Sequence, residues 1–108
     1  MTFHDVSARE YKSLLEGVRA RTFWGEKMLM AVVDIEANSI IPTHNHPHEQ
    51  VGIVLSGELD FDIDGEHRLL HQGDIYVIPS GVNHKVIASA QPAQVLDIFS
   101  PVREEYKY

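Results

Sequence analysis

From Val18 onward the apolar positions fall in short strand-like runs, each closed by turn residues. The runs are Val18 to Trp24, Met28 to Glu36, Ile40 to His44, Gln50 to Ser56, Leu59 to Ile63, His67 to Leu70, Asp74 to Ile78, His84 to Ala88 and Val95 to Phe99. Between them lie Gly25-Glu26, Ala37-Asn38-Ser39, Ser56-Gly57-Glu58, Asp64-Gly65-Glu66, Gln72-Gly73-Asp74, Pro79-Ser80-Gly81 and Ala90-Gln91-Pro92. Asp64-Gly65 is the strongest hairpin signal in the chain, because both residues tolerate the left-handed backbone of a tight two-residue turn. Short strands at near-regular spacing predict an all-β antiparallel sandwich or small barrel rather than parallel units with crossover helices. Ahead of the strands, Ser7-Ala8-Arg9-Glu10 has the spacing of a capping box. Good helix formers from Ala8 to Glu16 end before Gly17, so a short N-terminal helix is predicted there.

A chain of 108 residues with 44% hydrophobic content is one module, with enough core for one domain over 1–108 and no linker or low-complexity stretch. The net charge of −7, with no basic cluster, argues against nucleic acid and against an anionic membrane as partners. The amino terminus has no signal-peptide pattern and no run approaches membrane-spanning length, so the expectation is a cytoplasmic protein. Cysteine is absent, which removes disulfides, thiolate nucleophiles and cysteine-rich zinc sites. Any metal must then be held by imidazole and oxygen.

Such a set is present in Pro42-Thr43-His44-Asn45-His46-Pro47-His48-Glu49-Gln50. Residues two apart on a strand point the same way, so His44 and His46 can offer two imidazoles to one cation. Further ligands must come from elsewhere, and Gln50 and His84 are the best candidates. Pro79-Ser80-Gly81 forms a tight turn that would aim the strand beginning at His84, and barrel closure would bring that strand opposite His44 and His46. His4, His67 and His71 have no partner at ligand spacing and read as surface residues. His48 follows Pro47 and reads as a support or surface residue rather than a ligand. Trp24, Met28 and Met30 read as strand packing.

These segments resemble the two motifs of the cupins. The first motif is met at His44, His46 and Gly57, within 38–57, with Asn38 replacing its first glycine and Gln50 replacing its glutamate. The second is met at Gly73, Pro79, Gly81 and His84, within 73–88, with Ala88 replacing its asparagine. Asn38 is a mild departure, since asparagine tolerates the left-handed region. Gln50 is the informative one: a neutral amide leaves a bound cation its full charge, which favours an anionic ligand. The resemblance implies a cupin jelly roll, flanked by an N-terminal segment 1–27 and a C-terminal strand and tail 93–108.

In the last strand, alternation alone predicts that Leu96 and Ile98 pack the core while Asp97 is solvated. A second resemblance reverses that expectation. The chain from Met28 onward is similar to the small pectin-degradation cupins of the KdgF type, through His-x-His-Pro-His-Glu-Gln and the ending Leu96-Asp97-Ile98-Phe99-Ser100-Pro101-Val102-Arg103-Glu104. The resemblance implies one divalent transition metal ion on His44, His46, Gln50 and His84, and a pocket completed by Asp97, Phe99 and Arg103. Imidazole and amide oxygen accept nickel, zinc, manganese, iron or copper. The activity implied is isomerase-type opening and ketonisation of 4,5-unsaturated monouronates from pectin or alginate breakdown, giving the linear 4-deoxy-5-hexosulose uronate. In that scheme Asp97 moves the proton, Arg103 grips the carboxylate of the small anionic sugar, and Phe99 covers a sugar face. Resemblance to small cupins also implies a homodimer, and the apolar run from Met28 to Ile35 is compatible with one. The alternatives are another metal-dependent cupin enzyme such as a dioxygenase, and a non-catalytic sugar-binding cupin.

Overall fold

The computed structural model describes residues 2–108. Ten strands form: β1 (Lys12–Leu15), β2 (Val18–Trp24), β3 (Leu29–Ile35), β4 (Ile40–His44), β5 (Glu49–Ser56), β6 (Leu59–Ile63), β7 (Glu66–Leu70), β8 (Ile75–Ile78), β9 (His84–Ala88) and β10 (Ala93–Ser100). They make a six-stranded sheet in the order β1-β2-β3-β10-β5-β8 and a four-stranded sheet in the order β4-β9-β6-β7. All pairs are antiparallel. This is the predicted all-β jelly roll, with strand limits within about two residues of those read from the turn signals.

Strand alternation fills the space between the sheets. Val18, Ala20, Leu29, Ala31, Val33, Ile35, Val54, Val95 and Phe99 of the larger sheet meet Leu59, Phe61, Leu70, Val86 and Ala88 of the smaller. The turns follow their residue chemistry. Asp64 and Gly65 both have positive φ, at 52° and 85°, and connect the register pair Ile63↔Glu66 as a tight hairpin. Asn38 lies at φ 62°, in the left-handed region that its side chain tolerates.

The predicted N-terminal helix over Ala8–Glu16 does not form. A single 3-10 turn at Val6–Ala8 is capped by Asp5, whose carboxylate accepts from the Ser7 N–H at 3.0 Å, and the chain then extends into β1. One or two helical turns are marginal alone. As a strand the segment pairs with β2, and Leu14 and Leu15 pack against the core. Tyr11 fixes its start by donating to Asp34 Oδ2 at 2.6 Å. Trp24 on β2 and Met30 on β3, with Met28 just ahead of β3, are 38%, 42% and 54% exposed and pack on the outside of the sheet rather than in the core. Arg9 and Lys107 lie over the Trp24 ring, on the outside.

The outer face of the larger sheet is strongly apolar. One cross-strand row runs Met30, Ile98, Val51, Val77, and the next runs Val32, Leu96, Ile53, Ile75. Alternation along β10 is therefore apolar on both sides, and the side that faces inward carries Val95, Asp97 and Phe99. Leu96 and Ile98 point outward, so the reading that alternation alone would give is inverted. The small neighbours of Asp97, which are Ala31 on β3 and Gly52 on β5, leave room for a polar side chain at that point of the interior.

Candidate metal centre and active site

His44 ends β4 and His84 begins β9, and the two are register partners across that pair of strands. Their ring centroids lie 4.2 Å apart. His46 follows in the loop before β5, and its carbonyl accepts from the Gly81 N–H at 2.9 Å, so the Pro79-Ser80-Gly81 turn holds the backbone of the opposite motif. Ser80 Oγ donates to the Pro47 carbonyl at 2.5 Å and Asn45 to Asn83 Oδ1 at 2.8 Å, tying the same two loops together. Gly81 sits at φ +76°, a conformation that favours glycine and permits the turn.

Each of the three imidazoles is anchored in the same way. Nδ1 lies 2.9 Å from the Pro42 carbonyl in His44, 3.0 Å from the His48 carbonyl in His46 and 2.9 Å from the Val82 carbonyl in His84. A carbonyl oxygen only accepts, so each Nδ1 carries a proton, and in a neutral ring Nε2 then keeps its lone pair. The ligand atoms of the three residues lie within 4.8 Å of one another. Burial, the largest influence, holds the pKa of His46 below the ordinary imidazole value and lowers that of His84 to about 4. Both rings are therefore neutral near pH 7, the state a metal needs.

Gln50 on β5 completes the set. Its Oε1 lies 3.0 Å from His46 Nε2, and its amide hydrogen-bonds the Asp97 carboxylate, which can only accept. The NH2 group thus faces Asp97 and the oxygen faces His46. Two lone pairs point at each other, an arrangement that a shared cation satisfies. His44, His46, His84 and Gln50 form a donor set suited to a divalent transition metal. His48 contributes its carbonyl to this arrangement; its ring is outside the three-histidine group. His67 pairs with Asp60 at the surface, His71 lies 3.7 Å from Glu58, and His4 packs beside Phe23.

The donors open on a cavity of about 350 Å³ that is also lined by Asp97, Phe99 and Arg103. Phe99 is 2% exposed and meets the His46 ring edge-on at 5.7 Å. Arg103 arrives from the tail, with Nε 3.2 Å from Glu105 Oε2 and its guanidinium 4.1 Å from the Tyr106 ring and 5.1 Å from the Phe99 ring. Glu105, Tyr106, Tyr76 and Gly52 were not legible as site residues in the sequence. The signal closest to one of them is a lone glycine in the apolar run Val51-Gly52-Ile53-Val54, which marks a close approach by another group.

Asp97 is enclosed, and burial raises its pKa from 3.8 to about 6 against the opposing hydrogen bonds from Tyr76 and Gln50. The folded-state value lies above the unfolded one. Its contribution to stability is therefore present below about 3.8 and lost as pH rises through about 6. A shift of this size corresponds to roughly 3 kcal/mol at neutral pH. In metal-free protein, Asp97→Asn should melt well above wild type at about pH 8 and level with it near about pH 4. Calorimetry across that range checks this, and a Tm difference that does not change with pH contradicts it.

Comparison with known proteins agrees with this fold. The family model described as "Cupin domain" matches residues 31–99, from β3 to the end of the Asp97 strand. The pectin degradation protein KdgF of Dickeya dadantii is 28% identical over 98 residues, covering 89% of each chain. Among solved structures, an RmlC-like cupin from Shewanella frigidimarina superposes with a TM-score of 0.93 at 23% identity, over 99% of this chain and 96% of the other. KdgF from Halomonas sp. superposes at 0.92 with 24% identity, over 99% of both chains. With both histidine motifs and the double-sheet architecture in place, this chain belongs to the cupin domain family.

Proposed function

We propose that this cupin opens the ring of 4,5-unsaturated monouronates released in pectin or alginate breakdown and ketonises the product to the linear 4-deoxy-5-hexosulose uronate. The observation that carries the reading is a buried carboxyl, Asp97, titrating at about 6 beside three convergent imidazoles and a cavity-lining arginine. Similarity to KdgF over 89% of the chain supports the same reading.

The substrate is a cyclic hemiacetal whose ring oxygen is attached to a C4–C5 double bond. Asp97 takes the proton of the C1 hydroxyl; the C1–oxygen electrons form the aldehyde as the bond from C1 to the ring oxygen breaks. The electron pair released remains on the C5 oxygen as an enolate. Asp97 then returns its proton to C4, and C5 becomes a ketone. No atom is gained or lost, and the carboxyl ends as it began. A group titrating near neutral pH suits both halves of this exchange. Arg103 pairs its planar guanidinium with the substrate carboxylate, and Phe99 closes the cavity against water. A divalent transition metal held by His44, His46, Gln50 and His84 supplies positive charge that stabilises negative charge on sugar oxygens.

The same reading includes a homodimer. The outward rows of Met30, Val32, Val51, Ile53, Ile75, Val77, Leu96 and Ile98 form an apolar face of the kind that associating proteins cover. A second copy packing sheet against sheet would bury it. Wild-type protein should sediment as a dimer and Ile98→Glu as a folded monomer; a monomeric wild type contradicts the dimer.

Asp97→Ala should keep its fold and metal content while turnover of unsaturated galacturonate falls about 100-fold or more, measured as loss of conjugated double-bond absorbance above the spontaneous rate. Unchanged turnover would remove Asp97 from the mechanism. His84→Ala should lose metal and activity together, and full activity in that variant without metal would defeat the metal role.

A further inference from the structure

Strands β8, β5 and β10 lie side by side, and one inward-facing row across the sheet runs Tyr76, Gly52, Asp97, Ala31, Thr22. Tyr76 and Asp97 are thus separated by a whole strand, a backbone distance of about 10 Å. They are nevertheless in contact. Tyr76 lies across Gly52 and its hydroxyl donates to Asp97 Oδ1 at 2.5 Å.

Gly52 is what makes the reach possible. A Cβ at this position would stand 2.3 Å from Tyr76 Cζ, 2.4 Å from the Tyr76 hydroxyl and 2.4 Å from Asp97 Oδ1. Its φ is not among the positive values that favour glycine elsewhere in the chain, so the residue is there for space and not for backbone conformation. A glycine inside a strand costs about 0.5–1 kcal/mol relative to alanine. Burying a hydroxyl against a buried carboxyl adds a second polar group to the interior, where phenylalanine would fill nearly the same volume without one. Packing alone accounts for neither choice. Together they place one donor on one oxygen of one carboxyl.

We propose that Tyr76 is a positioning residue for Asp97: by occupying Oδ1 it holds the carboxyl in a single rotamer and leaves Oδ2 to carry the transferable proton. The ring is itself clamped, with Phe61 packed on it at a centroid distance of 4.4 Å and only 5% of the residue exposed. The Gln50 amide also hydrogen-bonds this carboxyl, while its oxygen lies 3.0 Å from His46 Nε2. A carboxyl fixed in this way meets the substrate without first reorganising, which acts on the chemical step more than on binding.

The test is Tyr76→Phe, which keeps the ring and removes the hydroxyl. Its crystal structure should show the Asp97 carboxyl in more than one rotamer, where wild type shows one. The kinetic half rests on the ring-opening reading: kcat should fall about 10-fold or more while KM stays within about 3-fold of wild type. An Asp97 side chain still locked in the wild-type rotamer overturns the proposal, as does an unchanged kcat. Wild-type protein inert toward unsaturated uronates would overturn the ring-opening reading instead, and the crystallographic comparison would then decide the positioning role by itself.

Discussion

Three hydrogen bonds of one kind, from an imidazole Nδ1 to a carbonyl two residues away, set the character of this site. They orient the rings of His44, His46 and His84 and place the proton of a neutral ring on Nδ1, which leaves its Nε2 available to a cation. The rest of the fold supplies those carbonyls in the right places. Pro42 lies within β4 and Val82 in the turn just ahead of β9, and the His46 loop is held by the Gly81 N–H from the opposite motif. Linear spacing alone would leave the rings free to rotate, whereas the closed pair of sheets does not.

The same constraint explains why a glutamine stands where cupins commonly have a glutamate. Gln50 faces two neighbours with opposite needs: its oxygen lies at His46 Nε2 and its amide donates to Asp97. A carboxylate at position 50 would set like charge against a buried carboxyl and drive one of the pair to protonate. The amide serves both sides without charge. It joins the candidate metal donors to the Asp97 carboxyl, to which Tyr76 also donates. The burial that raises the pKa of Asp97 costs the folded state, and in the proposed reaction the same shift would suit it to proton transfer near neutral pH.

Much of this was legible in the sequence because turns and strand runs are local signals. Asp64-Gly65 and Asn38 adopt the positive φ values their side chains permit, and most strand limits follow from them. The candidate metal donors could be picked out because His44, His46, Gln50 and His84 sit at fixed offsets within two motifs. What was hidden depends on pairing. Ala8–Glu16 has helix-forming residues, but β1 gains backbone partners on β2 and packs Leu14 and Leu15. Alternation in β10 cannot distinguish two apolar faces, and the choice is made by Ala31 and Gly52 beside Asp97. Tyr76 reaches its partner across an intervening strand, which no linear pattern records.

His44, His46, His84 and Gln50 form a candidate donor set for one cation. The most direct measurement is anomalous X-ray diffraction from crystals of the protein loaded with nickel or zinc. One dominant anomalous peak per chain is expected, bonded to Nε2 of His44, His46 and His84 and to Oε1 of Gln50. A peak elsewhere, or no peak at that point in metal-loaded crystals, would contradict it.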